Sequence, residues 1–383
     1  MILTRFIRVL GFVSAACVAS AASGEPRYET LSVARMPEPT PHRIYISDVA
    51  ITHIVDGRLH VIDGDALKYL GVISLGFTGN AALSVDRKEL YVATTYYSRL
   101  SHGERSDVVD IHDPQTLEHK GEIAIPPRHA QALPYKGLTR PSSDGRWLFV
   151  QNATPASSVT VVDLKARKFA AEIPTPGCWI VIPSQTVGNR FSTLCGDGAL
   201  QSIDLNDNGG LKSRVRSARF FHPDEDPVFV QTDNIGDRHY FVSYKGQVHV
   251  ADLSGDEPKL EAPWPLASGE DARKGWRPGG YQLLAIHRKT GRLFVAMHAG
   301  GKEGSHKDPA REIWVFDLEK KKRIARLPGH NAIAIAVSQV DQPKLFAIDG
   351  VKAGLAAYDA GDRPRFLKRM ERIGDSATLM ELY

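Results

Sequence analysis

Leu59-His60-Val61-Ile62-Asp63 is an apolar, β-rich run that ends on an aspartate. Six more stretches share its form. They are Val109-Asp110-Ile111-His112-Asp113, Thr160-Val161-Val162-Asp163, Gln201-Ser202-Ile203-Asp204, Val248-His249-Val250-Ala251-Asp252, Ile313-Trp314-Val315-Phe316-Asp317 and Leu355-Ala356-Ala357-Tyr358-Asp359. Successive aspartates are 50, 50, 41, 48, 65 and 42 residues apart. A strand-built repeat of roughly 40–50 residues is the pattern of a β-propeller with one blade per repeat. The fold class read from it is all-β, a seven-bladed β-propeller over residues 43–383. In such a rigid disc, chemistry and partners belong to the loop faces and the central tunnel.

Working outward, a second strand behind a turn recurs five times in phase with the repeats. Leu90-Tyr91-Val92-Ala93-Thr94 follows Asp86-Arg87-Lys88, and Trp147-Leu148-Phe149-Val150 follows Ser143-Asp144-Gly145-Arg146. His239 to Val242, Leu293 to Met297 and Leu345 to Ile348 repeat the arrangement. These are Asp- and Gly-rich hairpins followed by β-branched and aromatic strands. The aspartates that end the runs are read as strand terminators bonding to turn backbone. Helix is minor, with Ser268 to Lys274 the best candidate. Arg43-Ile44-Tyr45-Ile46-Ser47-Asp48 is a spare strand ahead of the first repeat. Propellers avoid an open edge by pairing such a strand, so Arg43–Ser47 is expected to close the ring in the blade of Asp359.

The ends and the charge bound the class. Arg5 and Arg8 precede Val9-Leu10-Gly11-Phe12-Val13 and a small-residue tract containing Ala19-Ser20-Ala21. This reads as a signal peptide over 1–21, too short to be a stable membrane span. It directs the chain to a bacterial periplasm. Residues 22–42 hold Pro26, Pro37, Pro39 and Pro41 and read as an irregular N-terminal arm. The net charge is +4, and the densest basic run, Lys320-Lys321-Lys322-Arg323, falls between two strands. It reads as a solvated hairpin turn rather than a nucleic-acid surface. Removal of the signal peptide takes Cys17 and leaves Cys178 and Cys195. An even pair in an oxidising compartment is most simply a disulfide.

No catalytic, cofactor-binding or metal-binding set is legible. G-x-S-x-G, H-E-x-x-H, C-x-x-C and P-loop spacings are all missing. The 14 histidines are scattered, and Gly300 to Gly304 reads as a flexible loop. The longest repeat gap, between Asp252 and Asp317, carries long loops of the kind where function concentrates.

The loops then add a resemblance. Thr95-Tyr96-Tyr97-Ser98-Arg99-Leu100-Ser101-His102-Gly103-Glu104-Arg105 resembles the heavy subunit of the tryptophan tryptophylquinone-dependent amine dehydrogenases. So do Gly177-Cys178-Trp179 with Cys195-Gly196-Asp197-Gly198, and Trp276-Arg277-Pro278-Gly279-Gly280-Tyr281. His298, Gly301 to Lys307 and Glu312-Ile313-Trp314-Val315 complete the set. The likeness runs from about Arg43 onward. It looks closest to aromatic amine dehydrogenase and is also similar to methylamine dehydrogenase.

The resemblance implies a periplasmic heterotetramer of two heavy and two light subunits. The light subunit carries the quinone, primary amines become aldehyde and ammonia, and electrons leave to a blue copper protein. The heavy subunit holds no cofactor of its own, and the family disulfide falls on Cys178 and Cys195. One departure concerns the loop after the first strand, where the family places a Phe at the mouth of the substrate channel. The matching stretch is Asp48–His53, with Ile51 the candidate channel residue; plain packing of Ile51 is the other reading.

Two further readings fit a periplasmic propeller. A lactonase-type hydrolase needs converging Asp, Glu or Asn ligands for a divalent cation. A non-catalytic interaction scaffold needs only its surface.

Overall fold

The computed structural model describes Ser32 and residues 34–383. The signal peptide and most of the N-terminal arm lie outside the described residues, and 34–42 form neither helix nor strand. From Arg43 onward the chain is a succession of antiparallel four-stranded meanders.

The meander holding Asp113 uses the second half of Lys68–Leu83, then Leu90–Arg99, His102–His112 and His119–Ile125. The next runs Thr139–Pro141, Trp147–Asn152, Ser158–Asp163 and Lys168–Pro174. Cys178–Pro183, Arg190–Cys195, Leu200–Leu205 and Leu211–Arg216 follow. Val228–Ile235, Arg238–Ser243 and Gln247–Asp252 are completed by short pairings at Lys259–Leu260 and Trp264–Pro265. Leu284–His287, Arg292–His298, Ala310–Asp317 and the start of Lys322–Val337 form another. The rest of Lys322–Val337 leads into Lys344–Asp349, Gly354–Asp359 and Arg365–Met370. The hairpin and strand positions read from the sequence agree with this order. So does the basic run, which turns the chain between Asp317 and Lys322. Among the described residues the one α-helix is short, Gly269–Arg273.

The closure differs from the expectation. Arg43–Asp48 pairs with Gly57–Asp63, in the meander of Asp63 and not that of Asp359. Its other edge is covered by the C-terminal strand Ala377–Leu382. The chain therefore closes by sending its last strand into the first repeat. The physical reason is burial: Leu379 and Met380 are buried, and the Gln282 side chain holds both backbone groups of Met380, at 2.7 and 3.0 Å. Left on the edge, Arg43–Asp48, buried at all six positions, would have an unpaired side.

Strand periodicity explains the core. In Trp147–Asn152, Leu148 and Val150 pack with Tyr91, Ala93 and Val109 of the preceding meander. The alternate residues Trp147 and Phe149 pack with Phe191 and Ile203 of the following one. Period two thus serves two apolar faces, as in any sheet covered on both sides. Each fully buried side chain of this kind contributes about 1.5–3 kcal/mol.

The repeat aspartates do cap turns. Asp63 Oδ1 accepts the N–H of Asp65 at 2.8 Å, and Asp113 Oδ1 that of Gln115 at 2.8 Å. Asp163, Asp252, Asp317 and Asp359 behave alike. Asp204 departs from the pattern. It holds Arg190 through paired contacts of 2.6 and 3.1 Å and the Ser213 hydroxyl at 3.0 Å. Cys178 and Cys195 face each other across adjacent strands and are disulfide-bonded.

Candidate functional site

Asp48 ends the strand Arg43–Asp48 and is only 2% exposed. Its Oδ1 accepts the N–H groups of Ala50 and Ser376, both at 2.8 Å. Its Oδ2 accepts the N–H of Asp375 at 2.6 Å and His60 Nε2 at 3.3 Å. Because a carboxylate only accepts, His60 donates from Nε2, and its Nδ1 takes the Tyr69 hydroxyl at 2.5 Å. Burial pushes the Asp48 carboxyl up, but the hydrogen bonds from His60 and the three N–H groups outweigh it and hold it at about 2.

That anion fixes the loop beyond it. Ala50 takes a left-handed conformation with φ 44°, and Ile51–His53 forms one 3₁₀ turn. Thr52 Oγ1 donates to Asp375 at 3.2 Å, and the Ile51 N–H reaches Ser376 Oγ at 3.4 Å. The loop is thereby tied to the approach of the closing strand. Ile51 is 59% exposed and Ile54 39%. Neither belongs to the core of the chain. What this arrangement offers chemically is a rigidly held apolar knob; it contains no base poised at an open position.

The other loops singled out in the sequence form separate features. Leu100, at the tip of the Tyr96–Glu104 hairpin, is 74% exposed. His306 stacks on Tyr244 at 4.5 Å and 13°. Gly280, at φ +119°, lies so close to Ile333 O that a Cβ would sit 2.6 Å away. His298 is buried beneath that segment.

Two buried histidines stand apart. His129 and His239 have no hydrogen-bond partner at either ring nitrogen, and burial lowers each to about 4. His239 helps line a cavity of about 50 Å³ together with Lys136, Arg140, Gln231 and Asp233. Arg140 pairs with Glu381 of the closing strand at 2.5 Å. Among the described residues one pair of tryptophans is in contact, Trp276 and Trp314, with ring centroids 5.1 Å apart. Trp314 is fully buried and lies under Arg323 and Arg326. A substrate has no route to its ring.

Sequence reading missed the anchors Asp48, His60, Asp375 and Ser376. Asp48 read only as a strand end. The available signal was a buried-looking aspartate directly before a sharp turn, but two of its partners, Asp375 and Ser376, lie more than three hundred residues away.

Comparison with known proteins adds the family. The family model described as methylamine dehydrogenase heavy chain matches residues 40–381. This chain belongs to that family. A methylamine dehydrogenase heavy chain of Methylobacillus flagellatus is 28% identical over 321 residues, covering 83% of this chain and 79% of the relative. One from Paracoccus versutus is 29% identical over 347 residues, covering 88% and 78%. Among solved structures, the Cps50 (Swd1) β-propeller domain of Myceliophteria thermophila superposes with a TM-score of 0.53 at 10% identity, covering 86% of this chain and 95% of that one. A functionally unknown protein from Desulfotomaculum acetoxidans gives 0.60 at 11% identity, covering 89% and 98%. These two likenesses bear on fold alone.

Proposed function

We propose that this chain is the heavy, scaffold subunit of a periplasmic quinoprotein amine dehydrogenase. In this reading 1–21 is a signal peptide, 22–42 an arm, and 43–383 a seven-bladed propeller whose blades are the meanders described above. Two such chains join two light subunits. A primary amine and water become aldehyde and ammonia, and the two electrons and two protons released leave the site, the electrons to a blue copper protein. The tryptophan tryptophylquinone supplies the electrophilic carbonyl for the amine and belongs to the light subunit.

The observation that carries the reading is the family match across 40–381. Two features of this chain fit it. Trp314, one of its two contacting tryptophans, is fully buried under arginines, and in this reading the quinone is left to the partner. A disulfide at Cys178 and Cys195 suits an oxidising compartment.

The part assigned to this chain is positioning. Asp48 holds the loop, and Ile51 forms part of the wall of the amine channel against the light subunit. The loop resemblance looks closest to aromatic amine dehydrogenase, whereas the relatives named above are methylamine dehydrogenase heavy chains, and the amine itself is not assigned.

The test is co-expression with the neighbouring light-chain gene. The chain alone should fold and oxidise no amine, and the complex should turn over. Replacing Ile51→Phe in the complex should reorder amines by kcat/KM by about 1–3 kcal/mol. Electron transfer to the copper protein should be less affected. Amine oxidation by the chain alone would end the scaffold reading. An unchanged ranking would remove only the channel role.

A further inference from the structure

Asp110 sits on the strand His102–His112, and Glu122 stands directly opposite it on His119–Ile125. Like charges directly across an antiparallel pair repel. Among the described residues, neither carboxylate pairs with a lysine or arginine. Among the described residues the one basic side chain that reaches them is His119, whose Nε2 lies 3.2 Å from Asp110 Oδ1.

His119 is brought there by an irregularity. Three residues before Glu122 on a regular strand, it would point to the opposite face. The register shifts between Ile111↔Gly121 and His112↔His119, leaving Lys120 out of the pairing. Such bulges re-aim side chains, and this one turns His119 onto the face of the two carboxylates. One donor atom from each of Asp110, His119 and Glu122 then lies within 4.8 Å of the other two.

The surroundings are those of a ligand set. Asp110 is 3% exposed, and its Oδ2 accepts the Tyr96 hydroxyl at 2.6 Å. That contact orients the carboxylate, as outer partners of metal ligands do. His112 lies edge-on to His119 at 5.3 Å, and its buried Nε2 has no partner.

We propose that Asp110, His119 and Glu122 bind a divalent cation of the zinc class. One imidazole with two carboxylates is a zinc-type donor set that leaves a position for water. Calcium and magnesium want more oxygen ligands than this edge provides. The cation bridges the two outer strands and cancels the repulsion between their facing carboxylates. No metal set was legible in the sequence, because only the bulge joins His119 to the other two.

The test is equilibrium dialysis of the full chain against zinc chloride after removal of metal with EDTA. His119 and Glu122 are exposed, so His119→Ala and Glu122→Gln should fold normally. With 14 histidines in the chain, the readout is the difference between wild type and variants. One equivalent of zinc should be lost or weakened more than about 100-fold in both, and Tyr96→Phe should weaken it about tenfold. A crystal soaked in zinc should show anomalous density between the three side chains. Equal zinc uptake by wild type and His119→Ala would overturn the site. Tighter binding of calcium than zinc would overturn the class.

Discussion

At Asp48 two forces oppose each other. Removal from water disfavours the charge, and four hydrogen bonds favour it more strongly, leaving the carboxyl at about 2. Its folded value lies below its unfolded one. The contribution is therefore complete above about pH 4 and is lost as pH falls toward 2, amounting to about 2 kcal/mol. Asp48→Asn would set an amide against N–H donors. Urea denaturation at pH 7 should show a loss of about 1–3 kcal/mol. The gap between variant and wild type should narrow as pH drops from 4 to 2. His129 shifts the same way for a different reason, since here burial disfavours the charged form. Burial holds it neutral to about 4, so stability is full above about pH 6.5 and falls as pH drops from there to 4. In that window the unfolded chain binds a proton that the folded one refuses. His129→Phe should flatten the stability–pH curve by about 1.4 kcal/mol per unit, read from urea midpoints at pH 4.5, 5.5 and 6.5.

Among the elements, the closing strand carries more than its length suggests. Ala377–Leu382 supplies Leu379 and Met380 to the core and Glu381 to the ion pair with Arg140. Truncation after Ser376 would expose the whole edge of Arg43–Asp48. Far-UV circular dichroism and yield should show a chain that fails to reach the native state, whereas removing only Tyr383 should be tolerated. The disulfide is a smaller matter. It spans 17 residues between neighbouring strands, so Cys178→Ser with Cys195→Ser should cost about 3 kcal/mol in denaturant midpoints. The hairpins were legible because turn chemistry and period-two runs are local, as at Ser143-Asp144-Gly145-Arg146 before Trp147. The direction of closure was not. Arg43–Asp48 and Ala377–Leu382 are both apolar strands near an end, and the choice between meanders rests on Gln282 gripping Met380. Likewise, nothing local marks Lys120 as the residue left out of register, so His119 could not be placed beside Asp110. Ile51 was located from the resemblance, and its exposure became visible only with the fold.

Across the whole molecule, each meander buries its two faces against its neighbours, so stability is shared around the chain rather than held in one centre. The loops are then free to differ, and the turn at Ile51 is an exposed apolar one pinned by Asp48 and Ser376. The closure has one more consequence. Tyr383 donates its N–H to Arg43 O at 3.0 Å, so the two extremities of the folded body touch. A peptide linker could join them, and a new start could be cut at the exposed turn Asp207-Asn208, giving a circular permutant with the same sheets in another order. The natural order has its own cost in time. Ala377–Leu382 emerges from the ribosome after every segment it must join, so the nascent chain carries an unfinished sheet edge until its final strand is delivered.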